Sequence, residues 1–131
     1  MLHHIEIYVR DLARTRAFYD FLLPDLGYRL FQDWDQGFSY RCGETYLVFV
    51  QVREKYEKIE YNRCNVGLNH LAFWCSSREE TDAWRKRLRE KGAVLLYDER
   101  YPHAGGDSHY AVYFEDPDGI KLEIVAGERS R

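Results

Sequence analysis

Two histidines and a glutamate offer the most suggestive chemistry in this chain: His4, His70 and Glu123. His4 opens the run His4-Ile5-Glu6-Ile7-Tyr8-Val9, and His70 opens His70-Leu71-Ala72-Phe73-Trp74-Cys75. Both alternate as strands do, so parity sorts their side chains onto two faces. Ile5, Ile7 and Val9 form one apolar face, leaving His4, Glu6 and Tyr8 opposite. Leu71, Phe73 and Cys75 leave His70, Ala72 and Trp74 opposite, and Ile120, Leu122 and Ile124 leave Lys121, Glu123 and Val125. Each histidine and the glutamate thus lie away from the apolar face of a strand. Imidazoles with a carboxylate suit Zn, Fe(II), Mn, Ni or Co without distinguishing them. A buried carboxylate beside two imidazoles is costly without a cation, so the trio points to one divalent ion. A lone strand histidine is more often a hydrogen-bonded polar residue. Two at repeat-equivalent positions, with a glutamate of matching parity, tip the balance toward ligands. His3 has the other parity and reads as a terminal surface residue. Glu6 reads equally well as a substrate contact, a fourth donor or a solvated strand residue.

The elements that must position these residues are written twice. After the first strand, Asp11 precedes a helical pattern with Phe18, Phe21 and Leu22 on one face, stopping at Pro24. Gly27 precedes a short strand over Tyr28–Phe31, and strands near Phe38–Arg41 and Tyr46–Val52 are split by a turn at Gly43. In the second copy, Ser77 and Glu80 form a capping box for a helix carrying Trp84 and Leu88, which Gly92 ends. Strands at Val94–Tyr97, Tyr110–Phe114 and Ile120–Val125 follow, the last two joined by the turn Asp116-Pro117-Asp118-Gly119. Each half is β-α-β-β-β. Its helix covers one sheet face and leaves the other for a partner half. The expected fold is α+β: two βαβββ modules in one chain forming a curved mixed sheet with a metal-binding cleft. Module 1 spans about 1–52, the connector 53–67 and module 2 about 68–126, within a single domain 1–131.

Composition sets the outer limits. A chain of 131 residues, 45% hydrophobic, is long enough for one packed core. A net charge of -3 supplies no basic field for nucleic acid or an anionic membrane. The Arg85–Lys91 cluster reads as a solvated helix face. No stretch approaches the ~20 apolar residues of a bilayer span, and no signal-peptide pattern precedes the first strand. Cys42, Cys64 and Cys75 lack metal-type pairing and fit reduced thiols, with Cys75 in the core, so a cytoplasmic protein is expected.

A second chemical segment is the loop from Tyr101 to Tyr110, where Gly105 and Gly106 let the backbone approach a ligand or flex. His103 and His109 are of the side-chain type suited to proton exchange with a metal-bound substrate, His109 being the first candidate acid/base. The competing reading is a surface hairpin with structural histidines. Tyr110 or Tyr113 is placed by parity to hydrogen-bond an oxyanion. Tyr8, Trp34 and Trp74 are either pocket walls or core aromatics. Tyr8, Trp74, His103 and Tyr110 are the candidate substrate contacts.

These residues resemble the vicinal-oxygen-chelate superfamily of glyoxalase I, fosfomycin-resistance thiol transferases, bleomycin-binding proteins and extradiol dioxygenases. The likeness runs from Leu2 to Val125. It rests on His4–Val9 with Asp11-Leu12 and Phe18-Tyr19, on Asn69–Phe73, and on Phe114-Glu115-Asp116-Pro117-Asp118-Gly119-Ile120-Lys121-Leu122-Glu123. The resemblance implies His4, His70 and Glu123 as ligands, the trio that parity selects. It departs from glyoxalase I at Tyr46–Val52, where a further carboxylate is replaced by mainly apolar residues and only Gln51 offers a weak oxygen donor. A three-ligand site with open positions suits a metal-dependent lyase, transferase or dioxygenase acting on a small molecule that chelates through oxygens. The alternative is a drug- or metabolite-sequestering protein of the bleomycin-resistance type, and a weaker third is a remnant dimerisation domain. A homodimer is the expected assembly. No cationic cluster for a phosphonate is evident, so fosfomycin resistance is not expected.

Overall fold

Where each helix begins is dictated by one side chain. In the computed structural model, which describes residues 1–127, Asp11 stands in extended backbone and its carboxylate accepts the Arg14 N–H at 3.1 Å. Helix α1 (Leu12–Leu22) follows and buries Thr15, Phe18, Tyr19 and Leu22. That stripe has i, i+3, i+4, i+7 spacing, so Tyr19 takes the core place expected for Phe21, which is half-buried. The Tyr19 ring lies 4.2 Å from that of Phe49, centre to centre. The chain leaves the helix through a short 3-10 turn, Pro24–Leu26, that closes on Gly27 at φ 94°.

Helix α2 (Arg78–Lys91) starts on Ser77, whose hydroxyl accepts the Glu80 N–H at 3.1 Å. Glu80 reaches back to the Ser76 N–H at 2.7 Å, one residue beyond the N-cap N–H that is the usual reciprocal partner. Thr81, Trp84 and Leu88 are buried, and Gly92 ends the helix in the left-handed conformation, φ 84°.

The chain divides after Glu60 into two compact units, each with its own four-stranded sheet. The first holds β1 (His4–Val9), β2 (Arg29–Trp34), β3 (Gly37–Cys42) and β4 (Thr45–Gln51) in the order β1-β4-β3-β2. The second holds β5 (His70–Cys75), β6 (Leu95–Leu96), β7 (Ala111–Glu115) and β8 (Lys121–Ala126) in the order β5-β8-β7-β6. In both, the first and last strands pair in parallel and the others antiparallel. The α+β architecture of two βαβββ modules is therefore as the sequence suggests, with mixed sheets built one per module.

Two strands differ from expectation. β2 runs on to Trp34 with all six residues exposed, as an edge strand. β6 shrinks to two residues because Tyr97 adopts φ 56°, which no extended strand accommodates. The parity assignments hold: Ile7, Val9, Phe73, Cys75, Leu122 and Ile124 are buried, while His4, Glu6 and Tyr8 are exposed. Among the described residues no helix is long and apolar enough to cross a membrane.

Candidate functional site

β8 is an inner strand, and its register sets Glu123 beside Ala72 of β5 and Tyr113 of β7. Glu123 is only 3% exposed. One carboxylate oxygen, Oε1, lies 3.2 Å from His70 Nε2, and Oε2 accepts a hydrogen bond from His109 Nε2. The Tyr113 phenol is pushed up to about 12 by burial first, then by the Glu123 charge and hydrogen bond. His70 Nδ1 meets Asn69 Oδ1 at 2.7 Å. With that carbonyl as acceptor, Nδ1 is the donor, and the tautomer with its single proton there turns an Nε2 lone pair toward the carboxylate. Two facing lone pairs call for a proton or a cation between them. The donor types, imidazole and carboxylate, fit a borderline divalent ion.

The loop that delivers His109 is tied to α2. Asp82 accepts hydrogen bonds from Tyr101 and, at 2.7 Å, from Tyr110. Arg85 and Arg89 grip Asp98 at 2.8 and 2.7 Å, so part of the basic cluster expected to be merely solvated anchors this loop. The two arginines hold the Asp98 carboxyl below its ordinary range, the Arg85 hydrogen bond contributing most. His103 sits apart from Glu123, its Nδ1 3.3 Å from the His109 carbonyl and its ring against Tyr110. Ala72, Trp74, His109, Tyr110, Glu123 and Val125 line a cavity of about 350 Å³, with Trp74 49% exposed.

In the first unit, the His4 ring stacks on Tyr46 with centres 4.9 Å apart, and its Nδ1 meets His3 Nδ1 at 2.8 Å. Tyr8 lines a separate pocket with Val52, Arg53 and Tyr56. Trp34, 42% exposed, lies over Gly37, where a side chain would collide with its ring. Gln51 is already engaged as a backbone clamp: its oxygen accepts the Leu12 N–H at 2.9 Å and its nitrogen donates to the Arg10 carbonyl at 2.6 Å. Its oxygen is therefore committed to the start of α1. Among the described residues no trio of histidine, cysteine or carboxylate side chains stands ready-made around a metal position. Of the three expected ligands, His70 and Glu123 are brought together, with His109 beside them.

Sequence reading gave no hint of Asn69 as the partner of His70 or of Asp82 as the loop anchor. A hydrogen-bonding residue immediately before a candidate ligand was the available signal for Asn69. It also missed the gathering of Arg63, Arg100 and Lys121 around Tyr97, whose members are far apart in the chain.

Residues 1–124 match the model of the Glyoxalase/Bleomycin resistance protein/Dioxygenase superfamily. The uncharacterized protein YqjT of Bacillus subtilis is 50% identical over 125 residues, covering 95% of this chain and 98% of its own. Glutathione transferase FosA of Serratia marcescens is 27% identical, covering 96% and 80%. A glyoxalase-type crystal structure from Bacillus halodurans superposes with a TM-score of 0.95 at 50% identity, covering 97% of this chain and 96% of that one. The fold is also that of Listeria monocytogenes FosX, determined with Mn(II) and 1S,2S-dihydroxypropylphosphonic acid, at a TM-score of 0.68 and 22% identity over 97% and 90%.

Proposed function

Because the chain belongs to the Glyoxalase/Bleomycin resistance protein/Dioxygenase superfamily, we propose that it is a divalent-metal-dependent enzyme acting on a small substrate that chelates through two oxygens. His70 and Glu123 hold the ion, with His4 as the third ligand by family resemblance. The observation that carries this reading is the buried Glu123 carboxylate, with an imidazole nitrogen at each of its two oxygens. When bound, such an ion supplies Lewis acidity to a chelated oxygen.

The chain's own residues do the rest. Asn69 fixes the His70 ring so that Nε2 faces Glu123. His109, on the tethered loop, exchanges a proton with the substrate beside Glu123. Trp74, Ala72 and Val125 form the apolar wall that takes the substrate's body and excludes water. Lyase, transferase and dioxygenase chemistry are all compatible with a site that lacks the further acid of glyoxalase I.

Electron paramagnetic resonance of Mn(II) titrated into the purified protein is the direct test. We expect about one bound ion per chain, with affinity lost in His70→Ala and in Glu123→Gln by at least about tenfold each. If free Mn(II) signal is unaffected by the wild-type protein, and Zn, Ni and Co leave its thermal midpoint unmoved, the metal-enzyme reading is wrong. A ligand that still binds His70→Ala would instead favour sequestration in the Trp74 cavity.

A further inference from the structure

On the face of β8 that carries Glu123, the neighbouring outward residue is Lys121, opposite His70 in the β5–β8 register. Its ammonium donates to the Tyr97 hydroxyl at 3.0 Å and lies 4.8 Å from the Tyr97 ring centre and 5.3 Å from that of Tyr113. The positive charge of Arg63 acts on the same phenol, and Arg100 stacks 5.0 Å from the same ring. Lys121, through its hydrogen bond foremost, and Arg63 lower the pKa of the Tyr97 phenol against the opposing effect of burial. Two carboxylates answer three cations: Glu115 lies 3.6 Å from Arg63, and Glu99, largely exposed, 3.9 Å from Arg100. Among the described residues no carboxylate is within ion-pair distance of Lys121, whose contacts are a phenol hydroxyl and two ring faces.

Tyr97 is also the single non-glycine residue with positive φ among the described residues. A residue with a Cβ is disfavoured there, and such conformations persist where the surroundings enforce them, often at ligand sites. Here the turn sets a phenol where Lys121 donates to its hydroxyl, Arg100 lies over its ring and the charge of Arg63 also reaches it. A lysine needed only to cover aromatic surface requires neither the second cation nor the unusual backbone.

We propose that Arg63, Tyr97 and Lys121 form an oxyanion subsite that receives a carboxylate or phosphoryl group of the substrate. The proposal rests on reading His70 and Glu123 as the reacting centre. Alternate residues of a strand are about 6.6 Å apart, so one small molecule spans both Lys121 and Glu123. The substrate is then a small anion with chelating oxygens at one end and its charge at the other.

Inorganic phosphate is the probe, followed by equilibrium dialysis with the chelator-treated full chain. Saturable binding is expected, weakened about tenfold or more by Lys121→Met and by Arg63→Met, as removal of a charge-assisted hydrogen bond predicts. Lys121→Arg retains it, and Lys58→Met, on the exposed surface of the other unit, leaves it unchanged. Acetate competes for the same site if the subsite accepts carboxylates as proposed. Absence of saturable binding, or wild-type binding in both methionine variants, overturns the proposal. Circular dichroism identifies any variant that fails to fold, and the two methionine variants are independent of each other. Mn(II) uptake on the same preparations keeps the two readings apart. Phosphate failing while Mn(II) still binds overturns the subsite alone. Lys121-dependent phosphate binding without Mn(II) uptake overturns the metal reading and supports the subsite.

Discussion

At the scale of single residues, the site is held by contacts too close to admit an extra atom. Gly105 is packed so that a Cβ there would fall 2.5 Å from the Tyr113 hydroxyl and 2.6 Å from His109 Cδ2. Its backbone angles are open to other residues, so the demand for glycine is one of space. Tyr113 is buried and flanked by Glu123 and Tyr97, whereas the His109 side chain is 40% exposed. In Gly105→Ala, His109 is therefore the group that yields. We expect the variant to stay folded, with a stability loss of about 1 kcal/mol, while the His109 imidazole leaves Glu123. Imidazole proton and nitrogen resonances in NMR report that contact directly. Unchanged His109 resonances in the variant would show that the loop, and not the ring, absorbs the added methyl.

At the scale of elements, α1 is fastened to its sheet by a part-buried polar link as well as by its apolar stripe. Tyr40 of β3 donates to Asp20 of α1 at 2.5 Å and is 5% exposed. Burial first, then the Asp20 hydrogen bond and charge, push the Tyr40 phenol up to about 12. An unfolded chain releases that proton near pH 10, while the folded one keeps it. Between those values the folded state holds more protons than the unfolded one, so stability falls as pH rises. The link contributes fully below about pH 10 and is lost toward pH 12. Tyr40→Phe should cost about 1 kcal/mol at neutral pH and show a shallower alkaline decline than wild type. Urea denaturation at a series of alkaline pH values measures both, and parallel declines would remove Tyr40 as the titrating group. Links of this kind explain what the sequence could and could not disclose. Caps at Asp11 and Ser77, the stop before Pro24 and the facing of β1, β5 and β8 follow from neighbours a few residues apart, and all were legible. Gln51 clamping the start of α1, Asp82 holding two tyrosines and Tyr97 ending β6 depend on partners distant in sequence or on one backbone angle. Periodicity carries no trace of them. For the same reason His109 was recognisable as a candidate by type, but its seat on Glu123 was not.

At the scale of the whole molecule, the question is which strands feel a bound ion. The proposed donors sit on three: His4 on β1, His70 on β5 and Glu123 on β8. An ion that binds only the folded chain stabilises it by about 2.7 kcal/mol at a hundredfold excess over Kd, and the gain falls on the elements whose opening would release the ligands. Amide hydrogen exchange with and without Mn(II) should therefore slow in β1, β5 and β8 together. β2, fully exposed at the edge of its sheet, and the two-residue β6 carry no proposed ligand and should be little changed. Protection gained by β5 and β8 but not β1 would remove His4 from the ligand set and leave His109 as the natural third donor, since it already reaches the free oxygen of Glu123. Protection gained nowhere would mean that the paired imidazoles serve only to neutralise a buried carboxylate. The three outcomes differ in which strand responds, so a single exchange experiment separates the full ligand set, a site confined to the second module, and a purely structural hydrogen-bond network.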